Sequence, residues 1–250
     1  MIRRIVLASA SVIALSAAAN ADGFDQGGAR GYYPALWDGF YVGVHGGGAW
    51  GETEATDRLG SNGLPWVKNG AQFNARVDGA LGGGTIGYNW QRSHFVFGLE
   101  GNVGYLGLKG SGDYNLLPTT KVESDGGVYV SALARLGYAF GSTMVYGAGG
   151  FFGADLDSRV HQDVPVIVHT STPGFQSGWT VGGGVEHMLN RAWSVKVEYL
   201  HFDLGKDRVG GLINGGAVTQ FFDIENTGDL VRVGVNYHFG ASADRYAPLK

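Results

Sequence analysis

The sequence contains no cysteine, few charged residues and, beyond its first residues, no long hydrophobic run. Without cysteine the chain has no disulfide, no thiol nucleophile, no thiolate metal site and no lipidated thiol. Charged residues make up 16% of the 250 residues, and the net charge is −4 without a basic stripe. This composition excludes a disordered polyelectrolyte and argues against nucleic acid as a partner, because nothing would neutralise the phosphates. Only 6 prolines and no triplet period exclude a collagen.

The first 21 residues have the features of a secretory signal. Two arginines precede an apolar run at 5–18, and the sequence Ala-Asn-Ala at 19–21 is a small-x-small cleavage pattern. After Ala21 no run approaches the roughly 20 apolar residues of a membrane-spanning helix. We therefore predict export, cleavage near Ala21 and a periplasmic N-terminal segment at 22–36.

What the sequence has in abundance is glycine, with 45 residues, and a polar–apolar alternation of period two. Near the start of the mature chain, Phe40, Val42 and Val44 fall on one face, whereas Tyr41 and His45 fall on the other. Such alternation is typical of a β-strand with two unlike faces. The pattern recurs eight times, and the predicted strands span residues 37–50, 80–91, 95–109, 128–140, 144–155, 177–189, 193–204 and 229–239.

The connections between these strands alternate in length. The short connections are 92–94, 141–143 and 190–192, and the long ones are 51–79, 110–127, 156–176 and 205–228. Eight antiparallel strands with short turns at one end and long loops at the other predict an all-β fold, an outer-membrane β-barrel at 37–240. The short turns would face the periplasm and the long loops the cell exterior.

Aromatic residues favour a barrel in lipid over the alternative, a soluble β-sandwich. Rings gather at both strand ends, as expected for two interfacial girdles. The predicted girdle at the short turns contains Trp90, Phe95, Tyr138, Phe140, Tyr146, Trp193, Tyr237 and Phe239. The predicted girdle at the long loops contains Trp50, Tyr105, Phe152, Trp179 and Tyr199. Glycines on the other strand face suit a narrow lumen with little room for side chains.

Six charged residues fall on the strand face predicted to line the lumen. They are Glu100, Arg135, Glu186, Lys196, Glu198 and Arg232. Because the three acids balance the three bases, we expect a paired polar network, with Glu100 and Arg135 as partners on adjacent strands. We favour a salt-bridged core that closes the barrel, since eight strands enclose little more than their own side chains. A selectivity ring in a conducting pore is the alternative hypothesis.

Other candidate sites carry weaker signals. The glycine pattern at 82–87 matches a dinucleotide-binding motif, but a strand follows it where a helix would be needed. His161 and His169 share a long loop, so we consider capture of haem or a metal there, against simple solvated histidines; otherwise we expect no cofactor and no metal site. His201 and Asp203 could form a base and its orienting carboxylate, but no nucleophile accompanies them, so we expect no enzyme.

Eight segments of the chain resemble the Omp25/Omp31 family of alphaproteobacterial outer-membrane proteins, within the wider OmpA-like β-barrel, or porin-family, group. The segments are WDGFYVG at 37–43, GYNWQ at 87–91, FGLEG at 97–101, ARLGYAF at 134–140, YGAGG at 146–150, WTVGGGVE at 179–186, VKVEY at 195–199 and VRVGVNYHF at 231–239. The resemblance implies an eight-stranded outer-membrane barrel and surface antigen that contributes to envelope integrity. Because some members of this family bind haem or host surfaces, the resemblance also makes such binding a candidate function. The family has no shared catalytic residues, so the resemblance implies none here.

One departure from the family pattern lies at the C-terminus. Such barrels usually end on an aromatic residue that the assembly machinery recognises, whereas here Phe239 is followed by Gly240 and a polar tail at 241–250. We predict that deletion of the tail leaves or improves insertion. The expected partners are the lipid bilayer and lipopolysaccharide of the outer membrane, the barrel assembly machinery and host surface molecules. A narrow solute porin and a haem-binding or adhesive receptor are the alternative functions.

Overall fold

The computed structural model describes residues 36–59, 70, 72–113, 120–155, 157–162, 174–213 and 218–239. The predicted signal at 1–21, the N-terminal segment except Leu36, and the tail at 241–250 lie outside the described residues. Within the described part of the chain, no helical segment has the length and apolar character needed to cross a bilayer.

Ten strands make up the described structure, and eight of them close into a ring. They are β1 (Gly39–Asp57), β2 (Gln72–Arg92), β3 (Phe95–Asp113), β4 (Thr120–Asp125), β5 (Val128–Phe140), β6 (Thr143–Asp155), β7 (Asp157–Gln162), β8 (Phe175–Met188), β9 (Trp193–Ile213) and β10 (Val218–His238). The antiparallel ring runs β1, β2, β3, β5, β6, β8, β9 and β10, and β10 pairs with β1 to close it. The predicted eight-stranded barrel is confirmed.

The predicted long loops are wrong in part, because strands continue into them. β1 extends to Asp57, β9 extends to Ile213 and β10 begins at Val218. The short strands β4 and β7 also lie wholly inside predicted loops, where they pair with each other, and β4 pairs with β3. In sequence these extensions have polar or charged residues at both odd and even positions, so the alternation that marks a lipid-facing strand is absent there.

The barrel turns its apolar side outward and its polar side inward. On β5, Leu136 is 64% exposed and Phe140 is 63% exposed, whereas Tyr129, Ser131 and Arg135 are buried. The same arrangement holds on β10, where the outward valines alternate with buried polar residues. A closed ring with an apolar exterior excludes the soluble sandwich, whose apolar faces would pack against each other.

Both aromatic girdles are present, with two corrections. The outward rings at the short turns are Trp90, Phe95, Tyr138, Phe140, Trp193, Tyr237 and Phe239, and those at the long loops are Trp50, Tyr105, Trp179 and Tyr199. Tyr146 and Phe152, which we placed in the girdles, are instead buried in the lumen. Both strand faces of β6 are largely apolar or small, so aromatic character alone assigned these two residues to the wrong side.

Glycine is required where lumen side chains lie flat against the wall. A Cβ on Gly87 would overlap the Tyr41 ring, and one on Gly137 would lie 2.8 Å from the sulfur of Met144. These close approaches let large side chains fit inside a ring of only eight strands.

At the long-loop end, ion pairs join the strand extensions beyond the outer girdle. Arg58 of the β1 end and Arg208 of β9 donate to the two carboxylate oxygens of Asp223 on β10, at 2.7 and 2.8 Å. The hydrogen bond from Arg208 lowers the pKa of Asp223; the bond from Arg58 acts in the same direction, and partial burial opposes both. Lys206 pairs with Glu225 at 2.8 Å in the same way.

Candidate functional site: the charged layer of the lumen

The six predicted lumen residues lie together inside the barrel and are all buried. They come from five strands, with Glu100 on β3, Arg135 on β5, Glu186 on β8, Lys196 and Glu198 on β9, and Arg232 on β10. None is more than 3% exposed. We call these six residues the charged layer.

Glu100 is the centre of the charged layer, because it accepts hydrogen bonds from all three cations. Its Oε2 lies 2.8 Å from Arg135 Nη1 and 2.8 Å from Lys196 Nζ. Its Oε1 lies 3.0 Å from Arg232 Nη2. The Tyr41 hydroxyl donates to Oε2 at 2.9 Å and accepts from Arg135 at 2.6 Å. A carboxylate buried in this way is stabilised only while its cations stay in place.

Glu186 holds the side of the layer nearest the short turns. Arg135 Nη2 donates to its Oε2 at 2.6 Å, while the Ser194 hydroxyl and the Asn236 amide donate to its Oε1 at 2.6 and 2.7 Å. His238 contacts Ser194 at 2.9 Å and lies 3.6 Å from the same carboxylate. Arg135 therefore connects two acids, Glu100 and Glu186, that belong to the non-adjacent strands β3 and β8.

Glu198 completes the balance of charge. Arg232 Nε donates to its Oε2 at 2.5 Å, and the Tyr146 hydroxyl donates to its Oε1 at 2.9 Å. The Arg135 guanidinium lies 4.0 Å from the centre of the Tyr146 ring, a favourable cation–π contact. Each acid thus has at least one cation and one hydroxyl donor, which are the partners that a buried carboxylate needs.

A second, uncharged polar network lies on the loop side of the charged layer. His45 Nδ1 is 3.0 Å from the Thr85 hydroxyl, which donates to Asn102 at 2.8 Å, and Asn102 donates to Ser131 at 3.0 Å. The other ring nitrogen of His45 contacts the Tyr129 hydroxyl. These five side chains come from four adjacent strands and are buried.

Aromatic rings fill the lumen on both sides of the polar residues. Tyr129, Phe152 and Phe202 form a stack with ring centres 5.7 and 4.8 Å apart. At the short-turn end, Trp37 is fully buried, donates through its indole nitrogen to the Gly141 carbonyl at 3.2 Å, and meets the His238 ring edge-on. The lumen is therefore occupied by side chains above and below the charged layer.

Of the other candidate residues, only His201 and Asp203 have described side chains, and these two do not pair. His161 lies in β7, its side chain is not described, and His169 is outside the described residues. His201 does not pair with Asp203; its Nδ1 lies 3.0 Å from Asp229 on the neighbouring strand, while Asp203 accepts from its own turn. In the described residues, no three His, Asp or Glu side chains cluster as metal ligands.

The family model of the outer membrane protein beta-barrel domain matches residues 5–239 of this chain. The chain belongs to this family. It is an outer-membrane protein whose strands cross the bilayer as a β-barrel, in agreement with the closed ring and the apolar exterior.

Named relatives match most of the chain. The 31 kDa outer-membrane immunogenic protein of Brucella melitensis is 33% identical over 81% of this chain and 84% of its own length. A 25 kDa outer-membrane immunogenic protein of Brucella abortus is 27% identical over 81% of this chain and 79% of its own length. The crystal structure of OprG from Pseudomonas aeruginosa aligns with a TM-score of 0.49 at 13% identity, covering 81% of this chain and 97% of OprG. The resemblance to the Omp25/Omp31 proteins is confirmed.

Four polar partners of the charged layer escaped the sequence reasoning: Tyr41, Tyr146, Ser194 and Asn236. Three of them fall on the lumen side by strand alternation alone, since Tyr41 shares a face with His45, Ser194 with Lys196, and Asn236 with Arg232. Strand alternation places these three side chains in the lumen but does not indicate which acid each one bonds. Only the folded ring shows that these groups donate to the acids.

Proposed function

We propose that this outer-membrane protein is a structural barrel with a closed lumen. The observation that carries the proposal is the position of Glu100, which binds cations from β5, β9 and β10 at once. Because this single carboxylate bonds side chains from three other strands, it connects separate parts of the barrel wall through the lumen. Solutes would have to break these bonds to pass, and each bond to a charged group contributes about 1.5–3 kcal/mol.

The proposed role of such a barrel is to support the envelope and to present an ordered surface outside the cell. The strand extensions support this, because their ion pairs at Asp223 and Glu225 hold β-structure beyond the outer girdle. These ordered strand extensions, which we call the rim, offer antibodies or host molecules a fixed surface. In this role the protein contacts lipopolysaccharide in the outer leaflet, depends on the barrel assembly machinery for insertion, and needs neither a cofactor nor a catalytic group.

Single-channel recording tests the proposal. The full chain, purified and reconstituted in a planar bilayer, is expected to give no regular conductance steps, with a known large porin as the positive control. Cells that lack the protein are expected to become more sensitive to detergent. Regular ohmic steps from heat-modifiable, correctly folded protein would establish a narrow porin instead. A Soret shift on haem titration, lost in the His161→Ala, His169→Ala double variant, would establish a haem receptor.

A further inference from the structure

A cluster of polar side chains faces outward at the level of the outer aromatic girdle. Asp229 lies on the lipid-facing side of β10, two residues from the apolar, outward-facing Val231. The Tyr199 hydroxyl donates to Asp229 Oδ1 at 2.6 Å, and His201 Nδ1 lies 3.0 Å from the same oxygen. A carboxylate in contact with hydrocarbon would cost several kcal/mol. Asp229 therefore belongs to the polar headgroup layer of the outer leaflet.

Both contacts to Asp229 use one carboxylate oxygen, so the cluster keeps further bonding capacity. Asp229 Oδ2 and His201 Nε2 have no hydrogen-bond partner among the described residues. The side chains are 28% and 38% exposed, so both atoms can meet a ligand from outside the barrel. Together they offer a carboxylate acceptor next to an imidazole nitrogen, which suits neighbouring hydroxyl groups.

Aromatic rings flank the cluster on both sides. The Trp179 ring centre lies 5.7 Å from that of His201, and Trp50 is the cross-strand neighbour of Asp229. Both indoles are about half exposed. Exposed rings beside a carboxylate are the usual surroundings of a bound sugar, whose C–H face packs on the ring while its hydroxyls donate to the acid.

The cluster is continuous with the lipid-facing surface of the barrel. Below it, Val181, Val197 and Val231 are outward and exposed, as acyl chains require. Above it, the charged pair of Lys206 and Glu225 begins the strand extension. A ligand seated here would meet apolar wall, then aromatic rings and polar groups, then charge.

We propose that Asp229 and His201, with Trp50 and Trp179, bind the sugar headgroup of an outer-leaflet glycolipid. Asp229 Oδ2 accepts from a sugar hydroxyl, His201 Nε2 bonds a neighbouring hydroxyl, and the indoles pack on the sugar ring. The acyl chains lie along the outward valines. This inference rests on the proposed contact with lipopolysaccharide and assigns it to particular residues.

Titration of the full chain in detergent micelles with purified lipopolysaccharide tests the site, with binding followed by microscale thermophoresis. Asp229→Asn and His201→Ala are each expected to weaken binding about tenfold, the effect of losing one hydrogen bond of about 1.4 kcal/mol. His187→Ala is the matched control, because His187 is an outward histidine at the short-turn end that bonds Thr143 at 2.9 Å. Its affinity is expected to equal that of the parent chain.

Two results would overturn the inference. Equal affinity in all three variants would show that lipopolysaccharide binds elsewhere. Binding of the deacylated sugar portion as tightly as intact lipopolysaccharide would show a site for free sugar, not for a lipid-anchored headgroup. A heat-modifiability gel confirms that each variant is folded. Absence of lipopolysaccharide binding by the parent chain would refute the proposed contact itself, whereas binding by the parent chain with equal affinity in the variants would refute this site alone.

Discussion

Replacement of Arg135 by alanine is the sharpest test of the closed lumen. The guanidinium donates to Glu100, Glu186 and Tyr41 and lies over the ring of Tyr146. Glu100 keeps two other cations when Arg135 is removed. Glu186 loses its directly bonded guanidinium and keeps two neutral donors and a histidine, so most of the cost falls on this carboxylate.

The magnitude follows from the cost of leaving a buried charge unpaired. Removal of one partner from a buried ion pair typically costs 3–5 kcal/mol, and loss of the ring contact adds to it. We expect Arg135→Ala to lower the free energy of unfolding by about 4 kcal/mol. The double variant Arg135→Ala, Glu186→Gln is expected to recover about half of that loss, because the unpaired acid becomes neutral.

Urea unfolding of the protein from lipid vesicles, followed by tryptophan fluorescence, measures this change, and planar-bilayer recording measures conductance in parallel. The expected outcome is a large loss of stability with little conductance. A loss below about 1 kcal/mol together with a large gain in conductance would refute the reasoning, since it would mean that Arg135 gates a pore and does not hold the wall.

Three further predictions concern the wall, the rim and the tail. A Cβ on the inward Gly83 would come 2.4 Å from the Val103 carbonyl oxygen and 2.9 Å from His45 Nε2, so Gly83→Ala is expected to cost about 2 kcal/mol in the same unfolding assay. The outward Gly84→Ala, whose nearest neighbouring atom is 3.8 Å away, is expected to cost nothing. Because arginines hold the pKa of Asp223 below its ordinary 3.8, their contribution to rim stability is present above that pH and is lost as the pH falls below it. Amide protection factors in the extension of β10, taken relative to intrinsic exchange at each pH, are therefore expected to fall below about pH 4. Deletion of 241–250 is expected to leave or improve insertion, scored by heat-modifiable protein in the outer-membrane fraction.

Each of these has an outcome that contradicts it. Equal stability of the two glycine variants would mean that the barrel can accommodate a methyl group at Gly83 without strain. Protection factors in the strand extensions that do not change between pH 5 and pH 3 would show that Asp223 does not stabilise the extensions. Loss of insertion without the tail would place part of the assembly signal beyond Phe239.

The eight barrel strands, their facing and the charges of the lumen could be read from the sequence, because each depends on local alternation. On β10, for example, Arg232 and Val233 must face opposite sides whatever the rest of the chain does. The contact of Glu100 with Arg135 was also accessible, since β3 and β5 are neighbours. Alternation failed where both faces are similar, as at Tyr146 and in the polar strand extensions.

The bonds that cross the lumen could not be predicted. Lys196 on β9 reaches Glu100 on β3, and Arg135 on β5 reaches Glu186 on β8, although neither pair of strands is adjacent. Such contacts depend on the stagger of the closed ring and on side-chain length, which no local pattern records. His201 shows the same limit on the outer surface, where its partner is cross-strand Asp229 and not Asp203.

The connections of Glu100 also bear on the order in which the barrel assembles. Arg232 belongs to β10, the last strand, and β10 closes the ring only by pairing with β1. Until that seam forms, Arg232 can pair with its cross-strand partner Glu198 on β9 but cannot reach Glu100 on β3, which then lacks part of its cation set. A half-closed intermediate would thus expose unpaired charge to the bilayer, at a cost of several kcal/mol. The charged layer therefore makes the final step of insertion cooperative, so that a barrel one strand short is disfavoured.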